Sequence, residues 1–415
     1  MNETPPPFDP EKPESKPISE KYKPQKGPPS FALMFFLGIL LIVVGTILCL
    51  IAQNPAPLGL AALAAFFSVF FDGYRGIFVG FVSTIGVLLL AVALCGCGSS
   101  SSTTGATAPP PAAALGGSDY GWYQLDSPCI REPYGVVYNY DTATATINGQ
   151  LQQMYSNGQR RLRIPIYFAR GLNTGTIMDS TGGNLSSRFR SNLTNLLAAV
   201  KAAGFVEIEV SFNPQSNNNP IGWSTFSSDY YNENWTLIQN LRPIFAGSGI
   251  PYHIDLLNEG IPPLAVPGYA SLLQYDQMLW NDYVAAYGSS DTIGFSIIAD
   301  AVHANSVSQV YGKSAYGNHG APPVFDVHIY DETGTSFATA YSALTSQGYK
   351  GVDWIIGEAY YNDAAEAASL RQQITTTGQT VLFLTQWPLT SGTSCSPDVN
   401  VAPPANFANY QAKGF

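Results

Sequence analysis

Glu259 and Glu358 each close a short apolar run, IDLLNEG at 254–260 and WIIGEA at 354–359. A carboxylate at the end of a buried strand is costly unless it is partnered or put to use. Two such groups facing each other across one cleft can split an acetal: one attacks the anomeric carbon while the other protonates the leaving oxygen. A separation of about 5 Å between them gives net retention. Other run ends carry side chains that suit this chemistry. Arg163 lies in RLRIPIYF (161–168), and Asn213 follows VEIEVSF (206–212). Asn258 precedes Glu259, His328 and Tyr330 lie in FDVHIYD (325–331), and Trp387 ends VLFLTQW (381–387).

These residues need a scaffold that gathers strand ends. Eight strand candidates run along the chain: 134–140 (YGVVYNY), 161–168, 206–212, 252–258, 292–298, 325–331, 353–359 and 381–387. Helical stretches separate most of them. The clearest are 184–203, ended by Gly204, then 267–287, ended by Gly288, and 363–376. Gly just past a periodic stretch is a helix stop. The weakest connection lies between the fifth and sixth strands. Repeated βα units imply a parallel sheet, and eight of them in under about 300 residues imply an α/β (β/α)8 TIM barrel. The active site of such a barrel lies at the C-terminal strand ends. An open doubly wound sheet needs fewer strands, and no Gly-rich phosphate loop follows the first strand candidate.

Five short segments, in order, resemble the large clan of retaining (β/α)8 glycoside hydrolases that includes the cellulase-like family 5 enzymes. They are RLRIPI on strand two, IDLLNEG on strand four, VHIY on strand six, WIIGEA on strand seven and TQWP on strand eight. The resemblance implies that Glu259 is the acid/base and Glu358 the nucleophile. It implies that Asn258 binds the sugar 2-hydroxyl and that Tyr330 holds Glu358, with His328 nearby. Arg163 would keep Glu358 ionised, and Trp387 would floor the reacting sugar. On this logic the acid's site raises its pKa, and the nucleophile stays charged. Two departures from the family 5 pattern stand out: Gly260 follows the strand-four Glu where Pro is common, and Ser211-Phe212-Asn213 ends strand three where His is common.

The rest of the chain bears on location. Residues 1–30 are rich in Pro, Lys and Glu and too polar to fold, which predicts a disordered tail. Residues 31–97 hold three apolar stretches: 31–52, 58–71 and 77–97. The first and last are long enough to span a bilayer. Three spans, with the tail's five lysines in the cytoplasm, put the C-terminal domain outside. A re-entrant 58–71 would reverse that side. Residues 98–118 read as a Ser/Thr/Pro/Gly linker and 119–415 as the catalytic domain. The expected partners are a polysaccharide or oligosaccharide substrate and the lipid bilayer.

Composition narrows the alternatives. A net charge of −10 with no basic cluster in residues 119–415 argues against nucleic acid. Only 12% of residues are charged, and Asn, Ser, Thr, Gly and Tyr take up the surface, as in many exported proteins. Four histidines without ligand spacing give no metal site, and no cofactor is expected. Cys129 and Cys395 flank the barrel and either pair or stay free. Trp223, Trp235 and Trp280 are candidates for sugar stacking or core packing, and Asp300 and His303 for the cleft or a loop cap. The sequons at Asn184, Asn192 and Asn234 are expected by chance in an Asn/Ser/Thr-rich chain. A barrel that binds polysaccharide without cleaving it, and a transglycosylase with the same residues, are the other readings.

Overall fold

The computed structural model describes residues 115–126, 130–392 and 406–415. The tail, the apolar region, nearly all of the linker, Cys129 and Cys395 lie outside the described residues. Among the described residues no helix is long and apolar enough to cross a membrane.

Strands and helices alternate along the chain. The strands are β1 (Gly117–Asp119), β2 (Arg161–Ala169), β3 (Met178–Asp179), β4 (Glu207–Pro214), β5 (Tyr252–Asp255), β6 (Thr292–Gly294), β7 (Ile297–Ile298), β8 (Val324–His328), β9 (Asp353–Glu358) and β10 (Val381–Gln386). The helices are α1 (Val136–Ser156), α2 (Ser187–Ala203), α3 (Ser228–Gly247), α4 (Ala270–Tyr287), α5 (Ala301–Ala304), α6 (Val307–Tyr311), α7 (Thr335–Ser346), α8 (Ala364–Thr377) and α9 (Ala408–Gln411). Every strand pairing is parallel, in the order β6-β5-β4-β2-β1-β10-β9-β8-β7, with β3 an appendage on β2. The two ends of this path, β6 and β7, are halves of one strand interrupted at Phe295-Ser296. The first half pairs with β5 and the second with β8, so the sheet closes into an eight-stranded barrel.

One strand expectation fails. Of residues 134–140, expected as the first strand, Val136–Tyr140 instead begin helix α1, with Gly135 at its N-cap. Val136, Val137, Tyr140, Ile147, Leu151 and Met154 are its buried face, a helical spacing that the β-branched run disguises. The true first strand is β1, at the end of the expected linker. It enters through glycines because a Cβ at Gly116, just before it, or at Gly117 would run into the carbonyl oxygen of Leu384 or Arg161. The other seven strands and the three named helices fall where expected, within a few residues. Ser186 caps α2 by accepting from the Phe189 N–H, and Gly204 stops it with φ 104°. The weak connection between strands five and six is the short pair α5 and α6.

Apolar side chains fill the space between sheet and helices, while the barrel interior is strongly polar. Alternate residues of β2 and β4 point inward together, in register: Arg161 beside Glu207, Arg163 beside Glu209, Pro165 beside Ser211. A small apolar cluster of Ile293, Val324, Ile355 and Phe383 is separate from the main core.

Candidate active site

Arg163 is the centre of the site. It is fully buried and donates to side chains from four strands, β1, β4, β5 and β9. Its Nε donates to Glu209 (2.7 Å), and Nη1 donates to Asp119 and Glu358 (both 2.8 Å). Its Nη2 donates to Ser211 Oγ (2.9 Å), Asp255 (2.9 Å) and Asn258 Oδ1 (2.7 Å). The five N–H groups of a planar guanidinium serve these six acceptors with one Nη2 hydrogen shared between two of them, whereas an ammonium has only three donors. Its neighbouring carboxylates hold the guanidinium firmly charged, against the opposing effect of burial.

Glu358 ends β9 and is buried. Its Oε1 faces Arg163, and its Oε2 accepts from the Tyr330 hydroxyl at 2.6 Å. Glu259 follows β5 and is about one-third exposed. His328 stands between the two. Its Nδ1 is 3.2 Å from Glu259 Oε1 and 3.5 Å from Glu358 Oε2, and its Nε2 is 3.1 Å from Asp326. An oxygen of each glutamate and a ring nitrogen of His328 all lie within 4.8 Å of one another. Two carboxylates this close, one held by Arg163 and Tyr330 and the other open to solvent, can attack and protonate a glycosidic bond in turn.

The electrostatics depart from one expectation. Burial opposes charge on His328, but Glu358 and Asp326 outweigh it and raise its pKa well above the usual value. Burial pushes the Glu259 carboxyl up, yet the hydrogen bond and charge of His328 outweigh that and hold it below the ordinary value. The site was expected to raise the Glu259 pKa; a protonated imidazole at its side does the opposite. Asp119 is pushed up to about 7, chiefly by burial, with Arg163 pulling down and Glu358 pushing up.

The other expected residues are gathered here too. Arg163 occupies Asn258 Oδ1, so the amide N–H groups are the end left for a ligand. Asn213 is buried, and its amide donates to Ser211 Oγ at 3.0 Å. Trp387 is half-buried beyond β10, edge-on to Trp122 at 5.3 Å, with the Arg131 guanidinium 5.7 Å from its ring centre.

Several candidates resolve as structure. Trp280 is core, with its indole N–H on Gly320 O (2.9 Å). Trp223 packs on Phe226, Tyr230 and Tyr275 and donates to Asn217 O. Trp235 packs on Tyr283 and Tyr287. Asp300 caps α5 and pairs with His303. Asn192 and Asn234 are buried, which rules them out as glycan acceptors in the folded protein.

Sequence reasoning passed over Asp119, Glu209, Asp255, Ser296 and Asp326. For Glu209, Asp255 and Asp326 a signal existed, since each is a carboxylate inside an apolar strand run.

No protein-family model matches the chain, and no curated protein matches it. Among solved structures it is similar to the exo-β-1,4-mannosidase Op5Man5 from Opitutaceae bacterium strain TAV5, at 12% identity and a TM-score of 0.46. That similarity covers 74% of this chain, which spans 56% of the mannosidase's length. It is also similar to the β-mannanase of the blue mussel Mytilus edulis (15% identity, TM-score 0.42, 66% of this chain and 86% of that one). A third is the Thermomonospora fusca β-mannanase solved with mannotriose (15%, 0.42, 72% and 96%).

Proposed function

We propose that this protein is a retaining glycoside hydrolase that cleaves β-linked polysaccharide outside the cytoplasm, anchored in the membrane by its N-terminal region. The observation that carries the reading is the pairing of Glu259 and Glu358 with oxygens within 4.8 Å. That is close enough for direct attack and too close for an intervening water as in inversion. Glu358, fixed by Arg163 and Tyr330, is the nucleophile. Glu259 is the acid/base, with His328 Nδ1 3.2 Å from its Oε1. In the second step Glu259 takes a proton from the attacking water, and the glycosyl–Glu358 bond breaks. The Asn258 amide binds a sugar hydroxyl, and Trp387 supplies an apolar face beside the nucleophile. Anchoring and location are supported by the uncharged stretch 31–52, the apolar stretch 77–97 and the lysine-bearing tail.

The test is turnover of β-glucans, mannans and xylans by the full chain, with the anomeric product followed by NMR. Glu358→Gln and Glu259→Gln should each abolish polymer turnover. Activity that survives both substitutions, or an inverted first product, refutes the mechanism. A C-terminal reporter that is active only in the cytoplasm would overturn the proposed location.

A further inference from the structure

We infer that Ser296 is a positioning residue for Glu259, and that through it one guanidinium braces both carboxylates; this rests on reading Glu259 as the acid/base. Glu259 has a left-handed backbone, φ 51°, one of three non-glycine residues with positive φ among those described. That conformation costs a non-glycine residue on the order of 1 kcal/mol or more and persists only where its surroundings fix it. The turn closes with Gly260 N–H on Leu257 O (3.0 Å), which leaves the Glu259 N–H to be satisfied elsewhere. Its acceptor is Ser296 Oγ, at 2.6 Å.

Ser296 occupies the interruption in strand five, between β6 and β7, and is fully buried. The break lets it leave the sheet's hydrogen-bond ladder and turn to Asp255 instead. Its N–H donates to Asp255 Oδ1 (3.1 Å), and its hydroxyl donates to Asp255 Oδ2 (3.0 Å). Having given its proton to Asp255, the hydroxyl presents a lone pair to the Glu259 N–H. Asp255 Oδ2 also accepts from Arg163 Nη2 and Ser211 Oγ, both at 2.9 Å. Arg163 thus holds Glu358 directly, and holds Glu259 through Asp255 and Ser296. The direct arm sets a charge; the indirect arm sets only a backbone angle. Loss of Ser296 should therefore misaim the acid and leave the nucleophile intact.

That asymmetry gives the experiment. The full chain, with Ser296→Ala, Ser296→Thr and Glu259→Gln, is assayed on paired aryl β-glycosides sharing whichever glycone the wild type accepts. One carries phenol, which needs protonation to leave; the other carries 2,4-dinitrophenol, which does not. Ser296→Ala should lose about ten- to a hundred-fold in kcat/KM on the phenyl glycoside and less than about three-fold on the dinitrophenyl one, part of the roughly 10²–10⁴-fold that general acid catalysis supplies. Ser296→Thr keeps the hydroxyl and should retain most of the phenyl rate. Equal losses on both substrates in Ser296→Ala with Ser296→Thr active, or no loss on either, would overturn the inference while leaving the glycosidase reading intact. A wild type inert on every glycone, or a Glu259→Gln loss blind to the leaving group, would take down that reading and this inference with it.

Discussion

Replacing Asp119 by Asn removes a titration from the barrel interior. Asp119 is fully buried on β1, with Oδ2 on Arg163 Nη1 at 2.8 Å and Oδ1 without a partner among the described residues. Burial first, then the nearby Glu358, push its carboxyl up to about 7 from an ordinary 3.8, against the pull of Arg163. A group with a raised folded pKa ionises first in the unfolded chain. Its stabilising contribution is complete below about pH 4 and is lost as pH rises through about 7. Roughly three pH units at about 1.4 kcal/mol each set a ceiling on the order of 4 kcal/mol. Asn cannot ionise, yet its Oδ1 can keep the Arg163 bond. The stability of Asp119→Asn relative to wild type should therefore climb by up to that amount between about pH 4 and 7 and level off above. Urea unfolding of both proteins, followed by ellipticity at several pH values, measures it. Glu366, also pushed to about 7 by burial, titrates in both proteins and cancels in the difference. Free energies that stay parallel across the window would show that Asp119 is ionised throughout and refute the reasoning.

Three other outcomes follow from the same contacts. Tyr330→Phe deletes the 2.6 Å bond to Glu358. A hydrogen bond to a charged group is worth about 1.5–3 kcal/mol, so kcat/KM should fall roughly ten- to a hundred-fold; an unchanged value would deny Tyr330 a role in holding Glu358. Arg163→Lys cannot rebuild the fork of contacts and should cost about 3–5 kcal/mol, seen as a lowered melting midpoint, along with the activity. Asp276, buried in α4 with neither oxygen partnered among the described residues, is pushed well up by burial, so wild-type stability drains away as pH rises above the ordinary carboxylate range. Asp276→Leu should gain about 1–3 kcal/mol near pH 7 and less in acid; a loss at pH 7 would mean an unseen partner for the carboxylate.

Most of the barrel was legible because seven strands are short apolar runs bounded by turn residues and separated by helical stretches, as strands buried on both faces are. β1 was not, since Gly-Ser-Asp has no hydrophobic pattern; its identity is fixed by tight backbone approach to its neighbours, which only a three-dimensional arrangement reveals. The residues at strand ends, Glu259, Glu358, Arg163, Asn258, His328, Tyr330 and Trp387, were readable from type and position. Of the groups beneath them, Glu209, Asp255 and Asp326 were legible only as carboxylates inside apolar runs; that they turn inward onto Arg163 is decided by the strand register. The sense of the Glu259 shift was missed for a related reason. Local burial favours the protonated acid, but His328, 69 residues away in sequence, decides the sign.

The matched pairs along β2 and β4 carry a consequence for how the chain finds its alignment. Arg161 and Arg163 face Glu207 and Glu209 in turn. A slide of two residues would preserve which side chains point inward and would still offer an arginine to a glutamate, so hydrophobic patterning cannot reject it. The pairing becomes unique only when β1 and β5 arrive, because Asp119 and Asp255 can both meet one guanidinium in a single alignment. A slipped barrel would bury an unmatched charge, a penalty of several kcal/mol. The carboxylates that β1 and β5 bring to Arg163 thus act as a lock on the pairing of β2 with β4, complete once those four neighbouring strands are together.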